Sequence, residues 1–479
     1  MNLGRTTSYS YFAPRFGVAY RLTEKLVVRG GFGISYEPFT NNQYAWDFPV
    51  RQGNAAAALN NHSIPTFDYG RGQEAASMAK GFPSPVTAVI PTNGIIVLPD
   101  RRMLPVGPAQ LATHSGDNFN IIDKNFRQPY IEAWNFAVQY ALPKNFVIDA
   151  AYVGNHGVRV PMTIDLNAAV VPGICQYADA TSGCAGKLPT DLMKDDCHVR
   201  PTCDQFGRTG ASNFLFKRTT SNYNALQVKL DHKWSSGFLM TTSYTFSKAL
   251  AFRSDMGSDG GNPSFYLDTI NGVTAQGFHR NYSVTSQDRR HVLTQSFIYD
   301  LPFGRGKTFL KSGWASWIAG GWQISAVPTF MTGRPLHFVA SGSSLNANGT
   351  AQTPIQIAPF HMLGGIGKGH PWFDITAFCP VTLSPAAGSG CPAVPNGTLG
   401  NMARYAFAGP KFFNMDASIS RRFSFTERIG MELRIDALNS TNTPQFDLPS
   451  VDLTNSNYGL VTGTASGNRA VTLAGKITF

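Results

Sequence analysis

Apolar and polar residues alternate with period two along much of this chain, in stretches that mostly come in pairs around tight turns. In one stretch Leu226, Val228, Leu230 and Trp234 fall on one side, while Gln227, Lys229, Asp231 and Lys233 fall on the other. In its partner, Phe238, Met240, Tyr244 and Phe246 oppose Thr241, Ser243 and Thr245. Further on, Ile429, Met431, Leu433, Ile435 and Ala437 oppose Glu432, Arg434 and Asp436. Successive side chains of a β-strand point to opposite faces, so each stretch predicts a strand with one apolar and one hydrated surface.

Extended along the chain, this pattern predicts eleven strands. Residues 13–22 and 25–37 join at Thr23-Glu24, and 129–142 and 145–155 join at Pro143-Lys144. Residues 221–234 and 237–248 join at Ser235-Ser236, and 412–425 and 428–439 join at Thr426-Glu427. Residues 288–301 and 321–332 are joined by a longer segment holding Trp314 and Trp317, and 469–479 forms the last strand. Pro328 lacks a ladder donor, so a bulge or an early strand end is expected there. Between the pairs lie segments predicted to be irregular: 38–128, 156–220, 249–287, 333–411 and 440–468.

Loops of that length are uncommon inside a compact soluble domain. Short turns at one end and long loops at the other fit a membrane barrel with periplasmic turns and extracellular loops. A soluble sandwich or propeller would also alternate, but three features favour lipid. The strands run to ten or more residues, against a usual five or six, and a tilted membrane strand needs about 9–11. Tyr140, Phe146, Trp234, Phe238, Tyr299, Trp322 and Phe423 recur beside the short turns, as an interfacial girdle requires. The last strand also sets Val471, Leu473, Ile477 and Phe479 on one side. The expected fold class is all-β, a transmembrane antiparallel β-barrel; residues 1–479 form a partial barrel domain with strands near 13–37, 129–155, 221–248, 288–332, 412–439 and 469–479.

Composition supports this picture without deciding it. Only 14% of residues are charged, against about 25% in soluble domains. Mean hydropathy is slightly negative, which a barrel gives as readily as a soluble protein. No run of about 18 apolar residues is present, which excludes a transmembrane helix. The chain has 40 Lys and Arg against 29 Asp and Glu, a net charge of +11. These cations are scattered rather than gathered on one face, which argues against nucleic acid. Their excess suits anionic solutes or lipid A phosphates, making lipid and lipopolysaccharide the expected surroundings.

Eleven strands cannot close an all-antiparallel barrel, because first and last would pair in parallel. Closure is what removes exposed edges in lipid. No apolar export signal follows Met1. Both observations predict a chain lacking its N-terminal part.

The six cysteines form three close pairs: Cys175 and Cys184, Cys197 and Cys203, Cys379 and Cys391. Sequence cannot choose among the possible pairings, though local staples in an oxidising compartment suit their place between strands. Zinc at Cys197, His198 and Cys203 lacks CxxC spacing and a second His, so no metal is expected. Asp288, His291 and Ser286 could be written as a triad, but neighbours on an extended strand point apart. Gly364-Gly365-Ile366-Gly367-Lys368-Gly369 lacks phosphate-loop spacing and context. No enzyme and no cofactor are expected.

Several segments resemble the Oar-like group of TonB-dependent receptors. They include Phe12–Tyr20, Arg29–Tyr36, Gln128-Pro129-Tyr130 with Trp134-Asn135, and Ala151–Asn155. Ser221–Gln227 and Ser243–Lys248 follow, then Asp288-Arg289-Arg290-His291 with Tyr299–Gly304, and Gly320–Gln323 with Thr332–Pro335. The motifs stand in family order across the strands and leave the long loops uncovered. The resemblance implies a barrel of about 22 strands, of which these eleven would be the second half. It further implies an N-terminal plug, a segment engaging the TonB complex, and Phe479 as a signal for the barrel-assembly machinery.

On this reading Lys229, Asp231, Arg290, Arg422, Glu432, Arg434 and Asp436 face the lumen, with Gln139, Asp149, Gln227, Asp416 and Lys476. They either solvate the interior or contact a plug or substrate. Aromatics on the loops, among them Trp46, Phe82, Trp372 and Phe378, either grip an extracellular ligand or pack locally. The leading expectation is a ligand-uptake receptor. A surface interaction or structural protein, or a passive channel, is the alternative.

Overall fold

The computed structural model describes residues 11–37, 50–52, 119–122, 127–165, 212–252, 281–340, 353–382, 385–394, 400–426 and 429–479. Eleven strands follow one another side by side in chain order. They are β1 (Arg15–Arg21), β2 (Leu26–Tyr36), β3 (Tyr130–Ala141), β4 (Phe146–Asp165), β5 (Ser212–Ser235) and β6 (Phe238–Ala251). Then come β7 (His291–Asp300), β8 (Trp322–Met331), β9 (Phe412–Ser424), β10 (Gly430–Leu438) and β11 (Ala470–Thr478). Every neighbouring pair along this path is antiparallel. Three short strands join from the side, including Phe119–Ile122, which runs parallel to Ser212–Leu215. The sheet is not closed: among the described residues β1 pairs only β2, and β11 only β10.

Local chemistry sets the tight turns. Lys144 and Asn145 have φ of 60° and 62°, and Ser236 and Gly237 have 55° and 77°. Two successive left-handed residues match the twist of the flanking strands. At the β1–β2 turn the Thr23 hydroxyl accepts the N–H groups of Lys25 and Leu26 at 3.2 and 3.1 Å. The Thr426 hydroxyl accepts the Ile429 N–H at 2.9 Å between β9 and β10.

Four expectations need correction. The segment 156–220 is not irregular throughout, because β4 continues to Asp165 and β5 begins at Ser212. Pro328 causes no bulge: β8 pairs β9 in constant register through Pro328↔Met415 and runs to Met331. Its missing donor interrupts pairing toward β7, between Thr294↔Thr329 and Phe297↔Ala326, and the register resumes unshifted. A bulge does occur between His232 and Ser235, which breaks the alternation used to place Trp234. Lastly, 333–411 and 440–468 contain packed structure rather than free loops.

That packed structure holds the main buried core. Leu336, Phe338, Trp372, Phe373, Ala377, Phe378, Met402 and Val461 cluster together, flanked by Phe360, Phe407, Phe446 and Tyr458. Phe360 stacks on Phe407 at 4.2 Å, and Phe338 meets Phe378 at 4.6 Å and Phe373 at 5.0 Å. Two small sheets frame it, Pro335–Leu336 with Phe407–Ala408 and Ile355–Gln356 with Phe378–Cys379. A disulfide joins Cys379 to Cys391; Cys175, Cys184, Cys197 and Cys203 lie outside the described residues. An added Cβ on Gly333 would come within 1.8 Å of the Gly409 carbonyl oxygen, so backbones meet there as only glycine permits.

Candidate ligand-facing surface

Cross-strand partners share a face, so the register carries each side-chain direction across the sheet. One face runs Val18, Gly30, Phe136, Tyr152 and Leu226 over to Phe246 in unbroken partner steps. At the other end the same face carries Ile324, Ile419, Ile435 and Leu473. The girdle aromatics Tyr140, Phe146, Phe238, Tyr299, Trp322 and Phe423 all fall on it by register. The rings approach one another: Phe146 to His232 at 4.4 Å, His232 to Phe238 at 5.2 Å, Phe238 to Tyr299 at 6.0 Å.

These apolar rows are open. Phe16, Tyr20, Phe136, Leu226, Phe246, Val471 and Leu473 are exposed, Leu473 by 75%. A contiguous exposed apolar surface of this kind marks contact with lipid or a partner. Gly154 belongs to the same face. A Cβ there would lie 2.5 Å from the Trp134 indole, so the ring rests on the glycine of the neighbouring strand.

The opposite face collects charge. Lys229, Asp231, Arg422, Glu432, Arg434 and Asp436 lie on it together, with Gln139, Asp149, Gln227, Asp416 and Lys476, all by register. Arg422, Glu432 and Lys476 are successive cross-strand partners, cation, anion, cation. Arg29 pairs with Asp149, Lys229 with Asp231 at 2.8 Å, and Arg434 with Asp436 at 2.7 Å. The Thr241 hydroxyl donates to Asp231 at 2.7 Å. Arg290 stands just before β7, exposed, its carbonyl accepting the Ser247 N–H at 3.0 Å. Phe479 is 99% exposed at the end of β11.

The residues that could be written as a triad do not converge. Asp288 accepts the Ala249 N–H at 2.7 Å, whereas His291 Nδ1 meets the Tyr244 hydroxyl at 2.8 Å. Burial raises the Asp288 carboxyl above its ordinary range, opposed by that N–H. The Ser286 hydroxyl is buried without a partner among the described residues. None of the described residues groups three or more His, Cys, Asp or Glu side chains as a metal site would.

Of the aromatics considered for ligand contact, Trp372 and Phe378 are each 4% exposed and belong to the packed core. Local packing is their role. Trp46 and Phe82 lie outside the described residues.

Sequence reasoning missed Arg421. It lies on the apolar face as the partner of Trp322 and Leu433. A short helix, α1 (Gly313–Ala319), covers it. Its guanidinium donates to the carbonyls of Ile318, at 2.6 Å, and Trp317. It also sits 4.2 Å from the Phe423 ring and 5.7 Å from Trp317 and Trp322. Its odd place in the alternation, beside Ile419 and Phe423, was the available signal.

An open antiparallel sheet with one apolar and one charged face defines a membrane-barrel protein. Residues 1–472 match the model of the outer membrane beta barrel domain, and the chain belongs to that family. Its location is the bacterial outer membrane. No curated protein sequence matches it. Among solved structures, the outer membrane transporter YddB of Escherichia coli aligns with 100% of this chain and 42% of its own, at 9% identity and TM-score 0.45. A mutant ferric enterobactin receptor PfeA of Pseudomonas aeruginosa aligns with 97% of this chain and 40% of its own, at 8% identity and TM-score 0.41. The siderophore receptor PirA of Acinetobacter baumannii gives 97%, 40%, 9% and 0.38 in the same order. This chain therefore spans well under half the length of each.

Proposed function

We propose that this chain is the barrel portion of an outer-membrane receptor that takes up an extracellular ligand with energy delivered through TonB. The observation that carries the reading is the division of one continuous sheet into an open apolar face and a charged face. In a bilayer the apolar face meets acyl chains, because charges held in hydrocarbon are costly. Lys229, Asp231, Arg290, Arg422, Glu432, Arg434, Asp436 and their neighbours then line an aqueous interior.

The ordered Oar-like motifs supply the receptor part of the reading. In the whole protein, a plug and a TonB-engaging segment would fill a larger barrel, and the packed module around Phe338 and Phe373 would sit at the extracellular end. That module supports ligand reception more than passive conduction, since a folded core at a barrel mouth narrows entry. The Oar-like subtype, the disulfides of the four remaining cysteines and recognition of Phe479 by the assembly machinery belong to the same proposal.

The test compares strains lacking this gene, lacking TonB, and lacking both, across carbon and iron sources. A shared growth deficit on one source, not restored by this protein when TonB is absent, supports the reading. Restoration without TonB would overturn it in favour of a passive channel. A surface role without import predicts no nutritional deficit at all.

A further inference from the structure

The link between β7 and β8 differs from the tight turns at the same end of the sheet. From Leu301 to Gly321 it contains Arg305, Lys307 and Lys311 and no acidic residue. Lys307 is paired with Asp300 at 3.3 Å, whereas Arg305 and Lys311 are exposed. The helical part of the segment turns onto the apolar face, while Lys307 reaches back to Asp300, which lies on the charged face by register as the partner of Gln323. The Trp322 indole N–H donates to the Ile318 carbonyl at 3.1 Å, and Trp317 lies 6.3 Å from Phe423. Arg421 fastens the helix from beneath. The outer side of the link is strongly apolar and bare: Trp314 is 79% exposed, Trp317 68%, Phe309 56% and Ile318 53%.

We infer that residues 303–319 form an anchor at the membrane–water boundary, binding anionic phospholipid in the leaflet beside the short turns. Three observations select that occupant. The bare rings continue the apolar face that runs across the sheet. Tryptophan combines an apolar body with one N–H donor, which suits the headgroup level. Arg305 and Lys311, exposed and in no ion pair among the described residues, flank Phe309 and precede Trp314 in the chain, which places cations where lipid phosphates would be met. Burial of Arg421 under α1 fits the same scheme, because a cation on that face needs carbonyls and rings in place of water. Trp314 and Trp317 would sit among glycerol groups and upper acyl chains, with Arg305 and Lys311 on phosphates.

The inference rests on the membrane placement proposed above and not on the uptake reading. The protein, purified from outer membranes, is placed in phosphatidylethanolamine vesicles with and without phosphatidylglycerol. Fluorescence quenching is compared between wild type and Trp314→Phe/Trp317→Phe. The signal lost in the variant should be quenched more by lipids brominated high on the chain than by lipids brominated deep. If that signal responds to aqueous iodide and not to brominated lipid, the anchor is refuted. Residual quenching of the double variant by deep bromines reports the rest of the apolar face, so a failed anchor is distinguishable from a failed membrane placement. For the phosphates, phosphatidylglycerol should raise the folded-to-unfolded ratio by about fivefold per cation. Arg305→Gln/Lys311→Gln should cut that gain by about 25-fold, and Arg305→Lys/Lys311→Arg should keep it. An equal gain in all three proteins would overturn the phosphate assignment.

Discussion

Leu230 and Lys229 are neighbours on β5 at nearly the same depth, one on each face of the sheet. Leu230 lies five residues from Ser235 at the short turn. At about 3.3 Å per residue and a tilt near 45°, that distance projects to roughly 12 Å. The apolar band of a barrel is about 25 Å tall, so Leu230 lies close to its middle. A lysine placed there meets acyl chains and should cost about 2–4 kcal/mol, a factor of roughly 30 to 900 in the folded-to-unfolded ratio. Lys229→Leu removes the pair with Asp231, whose side chains are 53% and 30% exposed. Pairs so accessible contribute about 0–1 kcal/mol. Reversible denaturant unfolding in phospholipid vesicles, followed by tryptophan fluorescence, measures both variants. A Leu230→Lys protein as stable as wild type, with Lys229→Leu the damaging change, would refute the assignment of faces.

Other consequences concern the module at the long-loop end. Phe373 is fully buried against Phe338, Phe360, Phe378 and Tyr458, so Phe373→Ala should destabilise the module by about 3–5 kcal/mol. Hydrogen exchange should then accelerate at the Val339, Ile357 and Trp372 amides, which bond within it, and stay unchanged in β10. Reducing Cys379–Cys391, separated by 12 residues, should cost the module about 3 kcal/mol, read by the same exchange. Tyr458 is pushed above its ordinary range mainly by burial, and its hydroxyl has no partner among the described residues. Tyr458→Phe should therefore be neutral or stabilising by about 1 kcal/mol. Asp374 accepts from the Thr376 hydroxyl at 2.7 Å and its N–H at 3.0 Å, which hold its carboxyl below the ordinary 3.8. A depressed carboxyl stabilises above its unfolded value and loses that effect as pH falls through the folded one. Module protection should thus fall on acidification below 3.8, and Asp374→Asn should flatten that dependence.

Much of the sheet was legible because its signal is local. Alternation depends only on successive side chains pointing apart, so Leu226–Asp231 and Ile429–Asp436 declared their two faces without any knowledge of neighbours. Each of the eleven predicted strands overlaps one strand of the path. Turn positions were visible for a similar reason: the turns predicted at Pro143-Lys144 and Ser235-Ser236 start one residue before the left-handed pairs Lys144-Asn145 and Ser236-Gly237, short interruptions between long ribbons.

The tertiary structure alone decided where local alternation meets something distant. Nothing near Pro328 in sequence says that its missing donor faces β7 while β9 continues to pair. Arg421 reads as a charged residue until α1, more than a hundred positions away, supplies two carbonyls and a ring. Trp372 and Phe378 look like loop aromatics until Phe338, Phe360 and Phe407 close around them. Period-two order is written between adjacent residues, and a chain displays it before it folds. Burial is a relation between segments far apart in sequence, and it exists only once they have met.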